Sequence, residues 1–226
     1  MIRPGKRYRL RSVITGLSLV VNMAFAAPAS EVEKIIAQGF PAQQNALIET
    51  TSALWNEYRR EHHVASLIFY AYGVLQQAKH YAAINDFIHA AEYAKTGFFF
   101  LDEAVESNDD NLRLHYLRAR IDAYLPEKNG RCVIALHDTE RLINATGLFD
   151  ENMLIPIRYM RYRALIDCGR THDAAILLND LRKLGTRVEK YTLLAPGTAP
   201  EWDLQELTLV VMPLLKRSKG IDHVIY

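Results

Sequence analysis

The sequence predicts an all-α protein, an α-solenoid of antiparallel helix hairpins, on three observations. The stretch 112–125, LRLHYLRARIDAYL, matches 157–169, IRYMRYRALIDCG, at an offset of 45 positions. A self-match with a period of this size is typical of repeat proteins made of helical hairpins. Apolar residues recur three and four positions apart through most of the chain, as on one face of a helix. With 11 glycines and 8 prolines in 226 residues, helix is favoured over strand.

The first 26 residues have the three parts of a secretory signal peptide. Five basic residues lie within the first eleven positions, a mostly apolar run spans 13–25, and Ala24 and Ala26 supply the small residues of a cleavage site. We expect cleavage near Ala26, with Ala27 as the neighbouring alternative; an uncleaved N-terminal anchor is the other interpretation. Cleavage leaves residues 27–226 as a single domain without a stable membrane anchor, and the bacterial periplasm is the predicted compartment.

The balance of acidic and basic residues limits which kind of molecule the mature protein is expected to bind. Because five of the 27 basic residues lie in the signal peptide, the mature chain carries 22 basic against 26 acidic residues. A mildly acidic body argues against a general nucleic-acid-binding protein.

Helices are predicted wherever the three-and-four spacing is unbroken. Ser30, the polar segment 108–111 and Asp150 can cap three of them, because side-chain oxygens of such residues accept hydrogen bonds from the free N–H groups of a first turn. The predicted helices span 30–38, 41–61, 65–79, 82–107, 112–125, 131–144, 150–169, 171–184 and 202–215.

Three residues and one segment carry further predictions about local backbone structure. Pro41 is predicted as the first residue of the second helix, where a missing N–H is tolerated. Gly97 either bends the fourth helix or lets another helix approach closely. The segment 186–194 is predicted as a strand or as irregular chain. Pro213 frays or kinks the last helix, which we expect to cap the exposed end of the solenoid.

Two segments resemble the tetratricopeptide repeat (TPR) family. Residues 104–111, AVESNDDN, look like the junction between two repeats, with Asp109 where proline is usual. Residues 168–175, CGRTHDAA, look like the turn between the two helices of one repeat. The resemblance covers about residues 65–184, with 185–226 as a C-terminal cap and tail. It implies a TPR-like hairpin architecture and a role in binding another protein.

The repeated helices are rich in arginine and tyrosine. In helical-hairpin repeats the first helices line the concave surface, and guanidinium groups beside aromatic rings suit the carboxylates of a partner. The alternative is that Arg118 with Asp122 and Arg163 with Asp167 form i,i+4 pairs, and that the tyrosines belong to the core. The predicted partner-binding residues are Arg113, Tyr116, Arg120, Arg158, Arg161 and Tyr162.

No motif for a nucleophile, a metal or a phosphate is found in the chain, so we predict no catalytic residue, no metal site, no cofactor and no enzyme activity. His137 and Glu140 are three apart on one predicted helix, where an exposed helix surface is the simpler interpretation.

The predicted function is a periplasmic scaffold or adaptor for another envelope protein, for example an accessory to a transporter or secretion system. A small-ligand carrier, with Trp55 and Phe98–Phe100 lining an apolar cavity, and a hydrolase on a helical scaffold are the alternatives.

Two cysteines, Cys132 and Cys168, are present in the chain. Export would bring them into an oxidising compartment. In a hairpin stack the start of one second helix and the end of the next first helix lie at the same edge, within the reach of a disulfide. We therefore consider a Cys132–Cys168 bridge, with two separate buried thiols as the alternative.

Overall fold

The computed structural model describes residues 29–125, 129–145, 147–195 and 198–215, and within these ranges the chain forms helices and turns without a strand. The predicted signal peptide, residues 1–26, lies outside the described residues. None of the described helices combines the length and the apolar character needed to cross a membrane. The helices are α1 Glu31–Gln38, α2 Gln44–Glu61, α3 Val64–Ala83, α4 Phe87–Glu106, α5 Leu112–Ala123, α6 Cys132–Asn144, α7 Glu151–Asp167, α8 Thr171–Arg182, α9 Thr186–Thr192, α10 Leu204–Glu206, a π-helical turn Leu207–Val211, and α11 Met212–Leu215.

The all-α fold class is confirmed, and three of its helix starts follow the predicted capping chemistry. Ser30 accepts from the backbone N–H of Glu33 and forms a capping box with it. Asn111 caps α5 by accepting from the N–H of Arg113, and Asp150 caps α7 by accepting from the N–H groups of Asn152 and Met153. Local side-chain chemistry therefore fixes where these helices begin.

Three elements differ from the prediction. The second helix begins at Gln44 rather than at Pro41. The fourth begins at Phe87 rather than near residue 82, because Asp86 caps it by accepting from the N–H of His89. The segment predicted as strand or irregular chain forms α9, in which Val188 and Tyr191 are buried. Three-residue spacing suits a helix, but a segment this short is decided by what it packs against.

The helices pack largely in chain order: α2 on α3, α3 on α4, α5 on α6, α6 on α7 and α7 on α8. In addition, α5 contacts both α3 and α7. The residues that follow α9 return to α3 and α5: the π-helical turn packs on α5, and α11 packs on α3. We call residues 198–215 the C-terminal segment.

Gly97 allows α3 and α4 to pack closely. A Cβ at this position would lie 2.7 Å from Cγ of Leu75 and 3.0 Å from the carbonyl oxygen of Ala71. Both distances are shorter than ordinary van der Waals contact, so a side chain here would force Leu75 or the backbone at Ala71 to shift. The expectation that this glycine permits a close approach is confirmed.

A disulfide joins Cys132, the first residue of α6, to Cys168, which follows the end of α7, with their Cα atoms 5.5 Å apart. The bond lies at the edge where the hairpin geometry brings the two positions together. It closes a loop of 36 residues, for which the chain-entropy model gives about 4 kcal/mol of stabilisation.

We expect the denatured, unreduced protein to contain no free thiol, and reduction to lower the free energy of unfolding by about 4 kcal/mol. Thiol titration in denaturant and urea unfolding with and without reductant measure the two effects. A Cys132→Ser, Cys168→Ser double variant is the control, since its stability should not respond to reductant. Two free thiols per chain would contradict the bridge.

Candidate functional site

Helix α5 is buried on all sides, since each residue from Leu114 to Ala123 is buried. Its polar side chains fall into two sets with helical spacing. The first set is Arg113, Tyr116 and Arg120; the second, with each position shifted by two residues, is His115, Arg118 and Asp122. A shift of two residues turns a helix by about 200°, so the two sets lie on opposite faces. Each set needs its own partners.

The first set binds the C-terminal segment through Glu206. The hydroxyl of Tyr116 donates to Oε1 of Glu206 at 2.7 Å, and Nε of Arg120 donates to the same oxygen at 3.1 Å. The second oxygen of Glu206 accepts from the backbone N–H of Asp203 at 2.9 Å. Burial, and then the nearby Glu206 carboxylate, raise the pKa of Tyr116 well above its usual value, so its phenol stays a donor.

Arg120 makes two further contacts with the same segment. Its guanidinium lies 3.8 Å from the centre of the Trp202 ring, and its Nη2 donates to the carbonyl oxygen of Pro200. Trp202 in turn stacks on Phe69 of α3, with the ring centres 5.8 Å apart. A buried guanidinium thus has a carboxylate, a carbonyl and an aromatic face as partners, as desolvated arginine requires.

Arg113 supplies a hydrogen bond that Pro213 cannot. Proline has no N–H, so Pro213 cannot donate to the carbonyl four residues earlier, that of Leu209. Nε of Arg113 donates to this oxygen at 2.7 Å. The helix also widens here into a π-helical turn, in which the N–H of Met212 bonds to the carbonyl of Leu207. The kink expected at Pro213 is therefore a contact site for α5.

These contacts correct the expectation that Tyr116 and Arg120 line an open groove. Tyr116 is 0 % and Arg120 is 5 % exposed, so in this structure neither is available to an external partner. The chemistry inferred from the sequence, guanidinium and phenol groups holding a carboxylate, is present, but the carboxylate belongs to the chain itself.

The three predicted residues on α7 are half-buried. Nη1 of Arg161 donates to the carbonyl oxygen of Leu136 at 3.0 Å. The ring of Tyr162 packs against that of Tyr159 at 5.5 Å. Of the six predicted residues, the structure thus groups Arg113, Tyr116 and Arg120 around one segment, while Arg158, Arg161 and Tyr162 lie on a different helix.

The opposite face of α5 binds Asp138 of α6. Arg118 donates through Nε and Nη2 to the two oxygens of Asp138, at 2.7 and 2.9 Å, and Nδ1 of His115 lies 2.7 Å from Oδ1. Burial alone would raise the pKa of Asp138, but the hydrogen bonds from Arg118 and His115 outweigh it and lower the pKa. The i,i+4 pair suggested for Arg118 and Asp122 is replaced by this long-range pair.

Asp122 is bound instead by Arg131, which precedes α6. Nε of Arg131 donates to Oδ1 of Asp122 at 2.9 Å, and its two Nη atoms donate to Asp102 of α4 at 2.7 and 2.8 Å. The guanidinium also lies 4.6 Å from the ring centre of Phe98. One arginine therefore ties α4, α5 and α6 together.

The buried carboxylate of Asp122 has fewer hydrogen bonds in this network than its two oxygens can accept. Its Oδ2 is buried and has no hydrogen-bond partner. Burial raises its pKa to about 7, since desolvation disfavours the charged carboxylate. Arg131 acts in the opposite direction but also serves Asp102, and the carboxylates of Asp102 and Asp138 add to the increase.

The His115–Asp138 pair does not provide a catalytic base accessible from solvent. His115 is fully buried, and its second ring nitrogen, Nε2, lies 2.7 Å from the carbonyl oxygen of Asp109. Both ring nitrogens are thus engaged within the protein, whereas a general base needs one nitrogen free to reach substrate. Among the described residues, no group of three or more His, Cys, Asp or Glu could hold a metal ion.

The chain matches no protein-family model, no curated protein and no solved structure. The residues missed from the sequence are Glu206, Asp138, Asp102 and Arg131. Nothing in their local sequence marks them, because each acts through a residue distant in the chain.

Asp122→Asn should remove a pH dependence of stability. A carboxyl group whose pKa is raised on folding binds more protons in the folded state, so its contribution to the free energy of unfolding falls as pH rises from about 4 to 7. The slope is at most about 1.4 kcal/mol per pH unit for one group. Urea unfolding at pH 4.5 and pH 7 should show that the free energy of unfolding changes by a more positive amount in the variant than in the wild type. Asp180→Asn, at an exposed residue, controls for loss of a carboxylate, and equal changes in Asp122→Asn and the wild type would contradict the assignment.

Glu206→Gln should loosen the C-terminal segment, because Arg120 would be left buried without its carboxylate. Breaking one side of a buried pair costs about 3 kcal/mol. Hydrogen exchange should speed up in the amides of 204–211 while those of α6 keep their rates. Glu201→Gln, an exposed neighbour, should change neither. Unchanged exchange in Glu206→Gln would show that the pair does not hold the segment.

Proposed function

We propose that the protein is an exported, TPR-like adaptor that binds a partner polypeptide of the cell envelope. The observation that carries this proposal is an open apolar groove of about 430 Å³ between α3 and α4. Its lining is formed mostly by alanine and larger apolar residues, with Lys79 as a charged residue. The main lining residues are Leu75, Ala78, Ala82, Ala83, Phe87, Ala90, Ala91, Ala94, Phe98 and Leu125.

The end of this hairpin exposes large apolar side chains. Ile84, Phe87 and Ile88 are 59 %, 62 % and 74 % exposed. Three such side chains within five residues form an apolar patch of the kind that marks interaction sites on soluble proteins. A floor of alanines beside this patch fits the apolar face of an amphipathic helix, one of the common modes of peptide recognition.

The α5 face gives independent support for polypeptide binding. Arg113, Tyr116 and Arg120 already hold a peptide segment through its carboxylate and its backbone carbonyls. Because the C-terminal segment fills that face, we propose the α3–α4 groove as the primary surface. Arg158, Arg161 and Tyr162 on α7 are candidates for a second contact.

The repeat architecture and the compartment belong to the same proposal. The packing of α3 on α4, α5 on α6 and α7 on α8 supports three successive TPR-like hairpins. The basic and apolar parts of residues 1–26, together with the paired Cys132 and Cys168, support export to the periplasm. An envelope partner follows from that location.

A photo-cross-linking residue in place of Phe87 should capture a specific partner in envelope extract. Phe87→Ser with Ile88→Ser should lower pull-down of that partner by tenfold or more, since loss of about 1.4 kcal/mol corresponds to tenfold and two large apolar side chains are removed. Arg158→Glu with Arg161→Glu tests the second contact in the same assay.

Ile176→Ser on α8 is the matched control, because Ile176 is 53 % exposed and lies outside the groove. It should leave the pull-down unchanged. Equal loss of the partner in the control and in the groove variant, or no loss in either, would refute the α3–α4 groove as the binding surface.

A further inference from the structure

A separate cleft of about 610 Å³ lies between α2 and α4, above α3. Tyr70, Val74 and Gln77 form its floor, at the four-and-three spacing of one face of α3. The walls are Ile48, Thr51, Ser52, Trp55 and Asn56 of α2, and Glu92, Tyr93 and Thr96 of α4. The volume falls within the range of roughly 300–1,000 Å³ usual for small-molecule sites.

Gln77 lies in this floor, and its side-chain amide is not hydrogen-bonded to another described residue. The residue is only 4 % exposed, but its amide atoms are not among the buried atoms that lack a partner, so they reach the solvent of the cleft. An amide that faces the solvent of a cleft can exchange its water partners for a ligand group that reproduces their hydrogen bonds. An amide both donates and accepts, so it suits a ligand group with the same two abilities, such as a hydroxyl.

Aromatic rings fix the shape of the cleft. The ring centres of Trp55 and Tyr70 are 4.9 Å apart, and Phe100 packs on both at 5.4 and 5.2 Å. Packing of this kind holds the rings in one orientation before a ligand arrives, which lowers the entropic cost of binding. The rings give a rigid apolar surface next to the polar amide.

The charges of the lining exclude some classes of ligand. No arginine, lysine or histidine lines the cleft, and Glu92, an exposed residue, supplies its single carboxylate. Burial raises the pKa of Tyr70 and of Tyr93, so their phenols are neutral donors at physiological pH. Phosphates, sulfates and carboxylates would lack a cation here, and the buried groups of the floor are all neutral.

We infer that this cleft binds a neutral saccharide, a ligand class that goes beyond the proposed adaptor function. A pyranose ring has an apolar C–H face, which stacks on aromatic rings, and an edge of hydroxyls. Gln77, Asn56 and Glu92 offer amide and carboxylate partners to that edge. A peptide would find neutral partners as well, but the more apolar α3–α4 groove suits it better.

Isothermal titration calorimetry of the mature protein tests the inference with maltose, cellobiose and N,N′-diacetylchitobiose. At least one should bind with a Kd of about 1 mM or tighter. Gln77→Leu should weaken that binding by about tenfold, the effect of one lost hydrogen bond. The urea midpoint of the same variant should stay close to that of the wild type, which separates lost binding from unfolding.

Gln76→Leu is the matched control on the preceding residue of α3, which lines the α3–α4 groove instead, and it should bind saccharide normally. A parallel pull-down with insoluble cell-wall glycan distinguishes the source: binding there assigns a wall polymer, and binding of free saccharide alone assigns a solute. No saturable binding of any of the three saccharides would overturn the inference. So would binding of tetramethylammonium or of a peptide in their place, or saccharide binding that Gln77→Leu leaves unchanged.

Discussion

The structure depends on the need to neutralise arginines that are taken out of water. Arg120 is buried within α5, and a guanidinium in such a position is tolerated only with a carboxylate and further acceptors beside it. Its carboxylate, Glu206, lies 86 residues later in the chain. This one requirement brings the C-terminal segment back across α3 and α5, where Arg113 and Tyr116 reinforce it.

The same requirement operates on the other face of α5. Arg118 is satisfied by Asp138 of α6, while Asp122 draws Arg131 toward the interior, and Arg131 draws Asp102 of α4. Helix α5 thus joins its neighbours through buried polar groups as well as through apolar packing. Buried networks of this type specify one arrangement of helices, because any other arrangement leaves charges unpaired.

This arrangement decides which surfaces are free for function. The face richest in arginine and tyrosine is filled by the chain itself, whereas the apolar groove between α3 and α4 and the cleft between α2 and α4 stay open. The two open sites share α3 and α4 but differ in lining: alanines in one, aromatic and amide side chains in the other. An adaptor with a polypeptide groove and a saccharide cleft would connect a protein partner to a glycan.

The sequence by itself determined most of the helices, the caps at Ser30, within 108–111 and at Asp150, and the two alternatives at Gly97, since all of these follow from local spacing and local chemistry. It also indicated that Arg113, Tyr116 and Arg120 bind a carboxylate. Only the tertiary structure decided that this carboxylate is Glu206, and that Arg118 pairs with Asp138 rather than with Asp122 four residues away. A polar stripe on a helix has the same pattern whether it faces solvent or a buried partner, because pairing depends on distance in space. For the same reason the short segment 186–192 became a helix, since burial of Val188 and Tyr191 decides its conformation.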